Sequence, residues 1–389
     1  MRDYKIVFLQ IMPQNETIYL DNNATTRVDE RVLNAMLPYF TDLYANSTGT
    51  HLAGLTVKEA VENAAWQTAD LINADADEII FTSGATEAIN LAIKGLADQE
   101  RKHIVTIQTE HKAVLETCRF MESIGFDVTY LPTDSDGILN FQLLEESTTA
   151  KTLVFIGMFS NNETGVIQNI SAISNILKVK NILFMCDATQ AVGKIPVDVK
   201  KLGIDLLTLS AHKFYGPKGV GALYVSAKAK IKLSPQILGG GQQRKLRSGT
   251  LNVPGIIGLG KASEIAVNEL EKDQNRILLL RNKLEKSFFR FEGSFVNGNT
   301  ENRIYNTSNI CFPGVNSEQL ILALGNISVS NGASCSAVIS EPSHVLKAMG
   351  LSDEEALSSI RFSLGRFTTA EEIDIAVKRV LEVARKLRG

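Results

Sequence analysis

Cysteine is scarce in this chain: four residues in 389, at Cys118, Cys186, Cys311 and Cys335. Four thiols at such irregular spacing exclude a disulfide framework and a cysteine-based zinc cluster. A reducing, cytoplasmic setting is the default for such a chain. Excess charge of either sign is also missing. Forty basic and 43 acidic residues leave a net charge of −3, which gives no nucleic-acid footprint and no polybasic membrane patch. No apolar run approaches the roughly 20 residues that span a bilayer. The first residues carry only the short patch Ile6-Val7-Phe8-Leu9, without the flanks and cleavage site of a signal peptide. Met12 directly precedes Pro13-Gln14-Asn15-Glu16-Thr17 and is expected to be the true start, with residues 1–11 as an N-terminal extension. Internal repeats and low-complexity segments are absent as well.

What is present is a chain with 44% hydrophobic and 21% charged residues, the balance of a globular protein, and long enough for about two domains. From about residue 58 to 225, short apolar strands alternate with helical patterns. Strands are expected at Glu78–Thr82, His103–Ile107, Thr152–Met158, Ile182–Cys186 and Asp205–Leu209, and helices at Thr86–Leu96 and about Ala113–Ser123. The strands are β-branched or leucine-rich with little alternation, the mark of a parallel sheet covered on both faces. After Pro254 the pattern changes. Ile277, Leu280, Leu284 and Phe288 fall on one face of a long helix, suited to join the sheet domain to a smaller one. Thr369-Ala370-Glu371-Glu372 reads as a capping box that opens a final helix.

In open α/β sheets, ligands bind beyond the carboxyl ends of the strands. The polar residues of interest fall there: Ser83-Gly84-Ala85-Thr86-Glu87 after one strand, His111 after the next, then Asn161-Asn162-Glu163-Thr164-Gly165, Asp187, and Ser210, His212 and Lys213. The turn at Gly84 opens a helix whose free N–H groups can receive phosphate, although glycine before a helix is commonly plain punctuation. Asp187 can hold a pyridinium nitrogen protonated, or simply cap a helix beginning at Ala188. Lys213 stands between an apolar strand and Phe214-Tyr215-Gly216-Pro217, where a depressed pKa would make it a Schiff-base former; most loop lysines are merely solvated. His111 can stack on a ring and exchange protons near neutral pH, or serve only at a helix N-terminus. Cys335 lies in the small-residue stretch Val329 to Val338, where the bland alternative is a buried small hydrophobe. Cys118, Cys186 and Cys311 read as packing residues.

Taken in order, these motifs resemble the cysteine desulfurases of the NifS/IscS type, among the fold-type-I pyridoxal-phosphate enzymes with class-V aminotransferase-like sequences. The likeness runs from Tyr19-Leu20-Asp21-Asn22-Asn23-Ala24-Thr25-Thr26 to the C-terminal helix. It takes in Thr109-Glu110-His111-Lys112, Asp187-Ala188-Thr189-Gln190, Ser210 to Gly219, Gly239-Gly240-Gly241, Arg247-Ser248-Gly249-Thr250, Cys335, Glu341-Pro342-Ser343 and Ser359 to Arg366.

The resemblance implies an α/β fold with a mostly parallel sheet in a large domain (25–262) and a smaller α/β domain (12–24 and 263–389) that carries the cysteine loop. It implies that Lys213 bonds pyridoxal 5'-phosphate, Asp187 pairs with the ring nitrogen, Gln190 reaches the ring hydroxyl and His111 stacks and shuttles protons. Ala85, Thr86, Ser210 and His212 bind the phosphate, with Thr250 supplied by the neighbouring subunit of a homodimer. Arg361 takes the substrate carboxylate and Asn162 orients substrate and cofactor. Cys335 attacks the sulfur of L-cysteine, so that L-alanine leaves and a persulfide remains. Its loop is expected to move, because sulfur is collected in one place and delivered in another. No metal site is implied beyond contact of Cys335 with a nascent iron–sulfur cluster. The acceptor is a scaffold for iron–sulfur clusters or a carrier for tRNA thiolation, with no direct nucleic-acid or membrane contact.

The chain departs from the family pattern in two places. Tyr44-Ala45-Asn46-Ser47-Thr48 lacks the usual Gly-Asn-Pro, and Gln242-Gln243-Arg244-Lys245 replaces a glutamate and glycine before Arg247. The sequence ends at Gly389 without the longer tail of the housekeeping member, which leaves the acceptor open. The alternatives are a selenocysteine lyase or another pyridoxal-phosphate lyase or aminotransferase of this fold, and a non-catalytic relative acting as a partner. Aminotransferases need no thiol, and a non-catalytic relative need not keep Lys213, Asp187, His111, Arg361 and Cys335 together.

Overall fold

The computed structural model describes residues 17–97, 99–332 and 341–389; Cys335 and the expected extension at residues 1–11 lie outside them. The strands in chain order are β1 (Ile18–Tyr19), β2 (Ile79–Thr82), β3 (His103–Ile107), β4 (Asp127–Leu131), β5 (Thr152–Met158) and β6 (Leu183–Asp187). They continue as β7 (Leu206–Ser210), β8 (Gly221–Val225), β9 (Phe295–Val296), β10 (Thr307–Cys311), β11 (Ile327–Ser328) and β12 (Ser359–Ser363).

Seven strands form the main sheet in the order β2-β8-β7-β6-β5-β3-β4. All neighbours are parallel except β8, which runs antiparallel to both β2 and β7. Every residue of β3, β5 and β7 is buried. That explains their mostly apolar sequences without regular alternation, since a sheet covered on both faces offers no wet side for a polar alternate. One apolar cluster lies on each face: Phe155, Phe184 and Leu207 on one side, Ile104, Ile156 and Met185 on the other.

A third cluster gathers β1, β10, β12 and the C-terminal helix around Phe288, Phe312 and Phe362. Here β12, β10 and β9 form a small antiparallel sheet, and β1 pairs with β11 in parallel. Helix Ala370–Arg388 starts with the capping box on Thr369 and Glu372. Cys118, Cys186 and Cys311 are buried and unpaired.

The long helix runs from Val253 to Phe288, well upstream of the apolar spacing that first suggests it. Residues up to Ala266 pack into the main core and residues from Ile277 into the third cluster. A division between residues 262 and 263 therefore falls inside one continuous helix. Among the described residues no helix is long and apolar enough to cross a membrane.

Candidate active site

A cavity of about 630 Å³ opens at the carboxyl ends of the strands. Its walls come from the segments after β2, β3, β5, β6 and β7, and from β12 with Arg361. Lys213, His111, Asp187, Gln190, Ala85, Thr86, Asn162, Ser210, His212 and Arg361 all line it. Thr250 does not. It is exposed, in a separate hollow with Tyr39, Leu43, Tyr44, Asn46 and Ser47.

At one end, Gly84 holds φ +153° and ψ 179°, a conformation open essentially only to glycine, and it caps the helix Ala85–Gly95. The first N–H groups of that helix have no intrahelical partner and face the cavity with the Ser210 hydroxyl and the His212 ring. The His212 Nδ1 sits 3.1 Å from Thr25 Oγ1. Burial, reinforced by Lys213, Lys218 and Lys194, holds His212 down to about 4. It is therefore a neutral ring at physiological pH. Lys218 also lines the cavity, and sequence reasoning did not single it out.

Asp187 is the last residue of β6. Its Oδ1 accepts from Thr189 N at 3.0 Å, Thr189 Oγ1 at 2.5 Å and Thr208 Oγ1 at 3.1 Å. Among the described residues no hydrogen bond falls on Oδ2, which leaves one carboxylate oxygen for a ligand. Residues 189–194 form turns rather than a helix, so Asp187 caps a turn, through Thr189 N, and not a helix starting at Ala188. His111 does cap the helix Lys112–Ser123: its Nδ1 accepts from Ala113 N at 3.1 Å. That bond fixes the neutral tautomer with the proton on Nε2. Burial, with help from Lys213, pulls its pKa below the usual histidine value, against the pull of Asp187. A capping nitrogen occupies only one side of the ring, so the cap does not by itself exclude the other reading.

Lys213 sits in a tight turn held open by Tyr215 at φ +70° and by Gly216, where a Cβ would stand 2.7 Å from that of Ala211. Its Nζ donates to the carbonyls of Asn23 (2.7 Å) and Ala24 (2.9 Å). Burial first, then Arg361, lowers its pKa from near 10.5 to about 8, while Asp21 and Asp187 oppose the shift. An amine poised there is a nucleophile near neutral pH.

Beneath the cavity lies a buried polar network that sequence reasoning missed. Asn23 is 1% exposed and uses every polar group it has. Its carbonyl accepts from Lys213 and from Gln190 Nε2 at 3.0 Å, and its Oδ1 accepts from Lys194 Nζ at 3.1 Å and Asn306 Nδ2 at 3.2 Å. Its Nδ2 donates to Thr307 Oγ1 and the Asn162 carbonyl, and its amide to Ser363 Oγ. Lys194 also donates to Gln190 Oε1 at 2.5 Å, and burial drives its pKa well below the lysine range. Glu163 is buried too. Its Oε2 accepts from Ser343 Oγ at 2.5 Å, and burial raises its pKa to about 7. The buried polar letters in Asp21-Asn22-Asn23 and the Lys194 that follows Gln190 were the available signal, but their partners lie as far off as residues 306 and 363.

The sheet order with antiparallel β8, the cavity at the strand ends and the lysine turn after β7 define a fold-type-I transferase of the pyridoxal-phosphate kind. The chain belongs to the aminotransferase class-V family, whose model matches residues 18–375. It is 48% identical over 377 residues to a protein of Shewanella denitrificans named cysteine desulfurase IscS, across 95% of this chain and 93% of that one. Among solved structures, a NifS-like protein aligns at a TM-score of 0.90 and 38% identity over 95% of this chain and all of its own. A structure titled SspA in complex with cysteine aligns at 0.81 and 38% identity over 91% of this chain and all of its own.

Proposed function

We propose that this chain is a cysteine desulfurase that binds pyridoxal 5'-phosphate and moves sulfur from L-cysteine to Cys335. The observation that carries the reading is one cavity holding an amine of pKa about 8 (Lys213), a carboxylate with a free oxygen (Asp187), a glycine-opened helix N-terminus and a buried guanidinium (Arg361). The cofactor fits this donor set. Ala85, Thr86, Ser210 and His212 would hold its phosphate, Asp187 Oδ2 its ring nitrogen and Gln190 its hydroxyl side, with His111 against the ring. Bound there, it supplies an electron sink that draws charge from the substrate α-carbon.

The chain's own residues do the rest. Arg361 receives the substrate carboxylate, a task suited to its fork of donors, and Asn162 borders the same seat. Lys213, as free amine, accepts the α-proton and later returns a proton. Neutral His111 offers its Nε2 proton beside the reacting carbon. Cys335, as thiolate, forms a bond to the substrate sulfur. The electron pair of the broken carbon–sulfur bond stays with carbon, which is protonated and leaves as alanine, while Cys335 keeps the persulfide. Gly332, three positions before Cys335 in the sequence, lines the cavity. The sulfur then passes to an acceptor protein for iron–sulfur cluster assembly or tRNA thiolation. We read the setting as cytoplasmic.

The reading includes a homodimer. Around the hollow that holds Thr250, the segment 37–66 exposes Leu37, Phe40, Tyr44, Leu52, Leu55 and Trp66, with Tyr44 78% and Leu52 82% accessible. Apolar side chains so concentrated mark an interaction face, and a second copy there would bring its Thr250 toward the phosphate end. The decisive experiment combines L-cysteine turnover with two variants. The purified protein is expected to bind the cofactor, with visible absorbance, and to form alanine and sulfide from L-cysteine with a reductant. Cys335→Ser is expected to keep the absorbance and lose sulfur transfer, and Lys213→Ala to lose the bound-cofactor band. A fully active Cys335→Ser enzyme would overturn the mechanism.

A further inference from the structure

The seat assigned to the substrate carboxylate is already partly held by a carboxylate of the chain. Arg361 Nη2 meets Asp21 Oδ1 at 2.6 Å, and Nη1 meets the Asn162 carbonyl at 3.0 Å. Arg361 is 5% exposed, and its buried Nε makes no hydrogen bond among the described residues. A buried donor without a partner is costly, so the guanidinium still has hydrogen-bonding capacity unspent. Asp21 and Arg361 line the cavity together, close enough to Lys213 that the arginine lowers and the aspartate raises the pKa of its amine. The pair is built by long-range pairing: Asp21 bridges Ser363, at the end of β12, and Arg361 stands two residues earlier on the same strand.

We propose that Asp21 is a specificity-determining residue that guards Arg361 against bare carboxylates and admits α-amino acids by receiving their ammonium group. The proposal rests on the reading of Arg361 as the carboxylate seat. A carboxylate without an amine would have to share the guanidinium with Asp21, and two like charges at that distance repel strongly where water is scarce. An α-amino acid arrives as a zwitterion. Its ammonium lies one carbon from its carboxylate and answers the negative member of the Asp21–Arg361 pair, while the open donor of Arg361 answers its carboxylate. Discrimination of this kind uses a repulsive element against the wrong ligand as well as attraction toward the right one. It also delivers the substrate amine to the side of the cavity where Lys213 stands.

Propionate, a carboxylate with no amine, is the probe. Its affinity for the holoenzyme is measured by titration calorimetry and by competition against L-cysteine. Asp21→Asn is expected to bind propionate about tenfold more tightly than the unmodified protein, a change of about 1.4 kcal/mol, while KM for L-cysteine rises. Asp21→Glu is expected to restore the original order of the two ligands, and Asp21→Ser tests the same loss of charge should the asparagine variant fail to fold. A purely structural role would weaken both ligands together. Equal propionate affinity in the unmodified and Asp21→Asn proteins overturns the proposal. Failure of the underlying reading looks different: Arg361→Lys would then leave both propionate binding and KM for L-cysteine unchanged.

Discussion

At Lys213 two effects push the same way. Desolvation penalises the ammonium form, and the Arg361 guanidinium repels it; together they bring the pKa to about 8. A folded pKa below the unfolded value means that folding is opposed while the lysine must be charged, and the opposition lifts as pH rises from about 8 toward the ordinary value near 10.5. In cofactor-free protein, capture of an aldehyde by this amine should therefore rise with a midpoint near pH 8. Arg361→Met should move that midpoint upward; a midpoint unmoved by the substitution would show that the arginine does not act on the amine. Lys194 is the contrasting case, a buried lysine whose role is to fill acceptors. Lys194→Met leaves Gln190 Oε1 and one contact of Asn23 Oδ1 empty. The expected cost is about 1–3 kcal/mol of unfolding free energy, measured by denaturant titration. Lys213, His111 and Asp187 were legible in the sequence because each stands at a strand end beside its own motif. Asp21, Asn23 and Lys194 were not, since what brings them to the site is contact with residues distant in the chain: Arg361 for Asp21, Asn306 and Ser363 for Asn23, and Asn23 itself for Lys194.

Strands declare themselves through composition, and here the buried parallel strands did so to within a residue at each end. Several elements resisted, β4 and β10 among them, and two others show why. The strand Gly221–Val225 carried no expectation of its own, and its antiparallel course depends on Gly221, where a Cβ would stand 2.5 Å from the Leu209 carbonyl and 2.8 Å from the Gly84 Cα. The long helix was legible only from Ile277, because Gly255, Gly258 and Gly260 upstream look like turn residues. Two of them are contact points instead. A Cβ at Gly258 would meet Met36 and Pro217, and one at Gly260 would meet Ala64, each within 3 Å.

The departure at 242–245 has a physical role as well. Gln243, Arg244 and Lys245 all hold positive φ. That turn sends the Gln243 amide to the edge strand, where Oε1 takes the Phe81 N–H at 2.6 Å and Nε2 gives to the Phe81 carbonyl at 2.8 Å. An open strand edge invites pairing with other chains, and this amide closes it. Gln243→Ala should lower stability by about 1–3 kcal/mol and speed hydrogen exchange at the Phe81 amide. Unchanged exchange there would mean that the edge is protected by something else.

For the whole molecule, the main core and the third cluster are tied by one helix and by polar pairs that reach between them, and the segment 37–66 presents one face with several exposed apolar side chains. If that face is the dimer contact, scattering should give twice the mass of one chain, and Leu52→Glu should halve it. Thr250→Val should leave the mass unchanged and weaken cofactor retention. The Asp21–Arg361 pair has a further consequence, concerning synthesis of the chain. Its members are 340 residues apart. At roughly 5–20 residues per second the ribosome makes the second about 17 s or more after the first. Until then the proposed carboxylate seat does not exist, and the pocket closes only after residue 361 has been made.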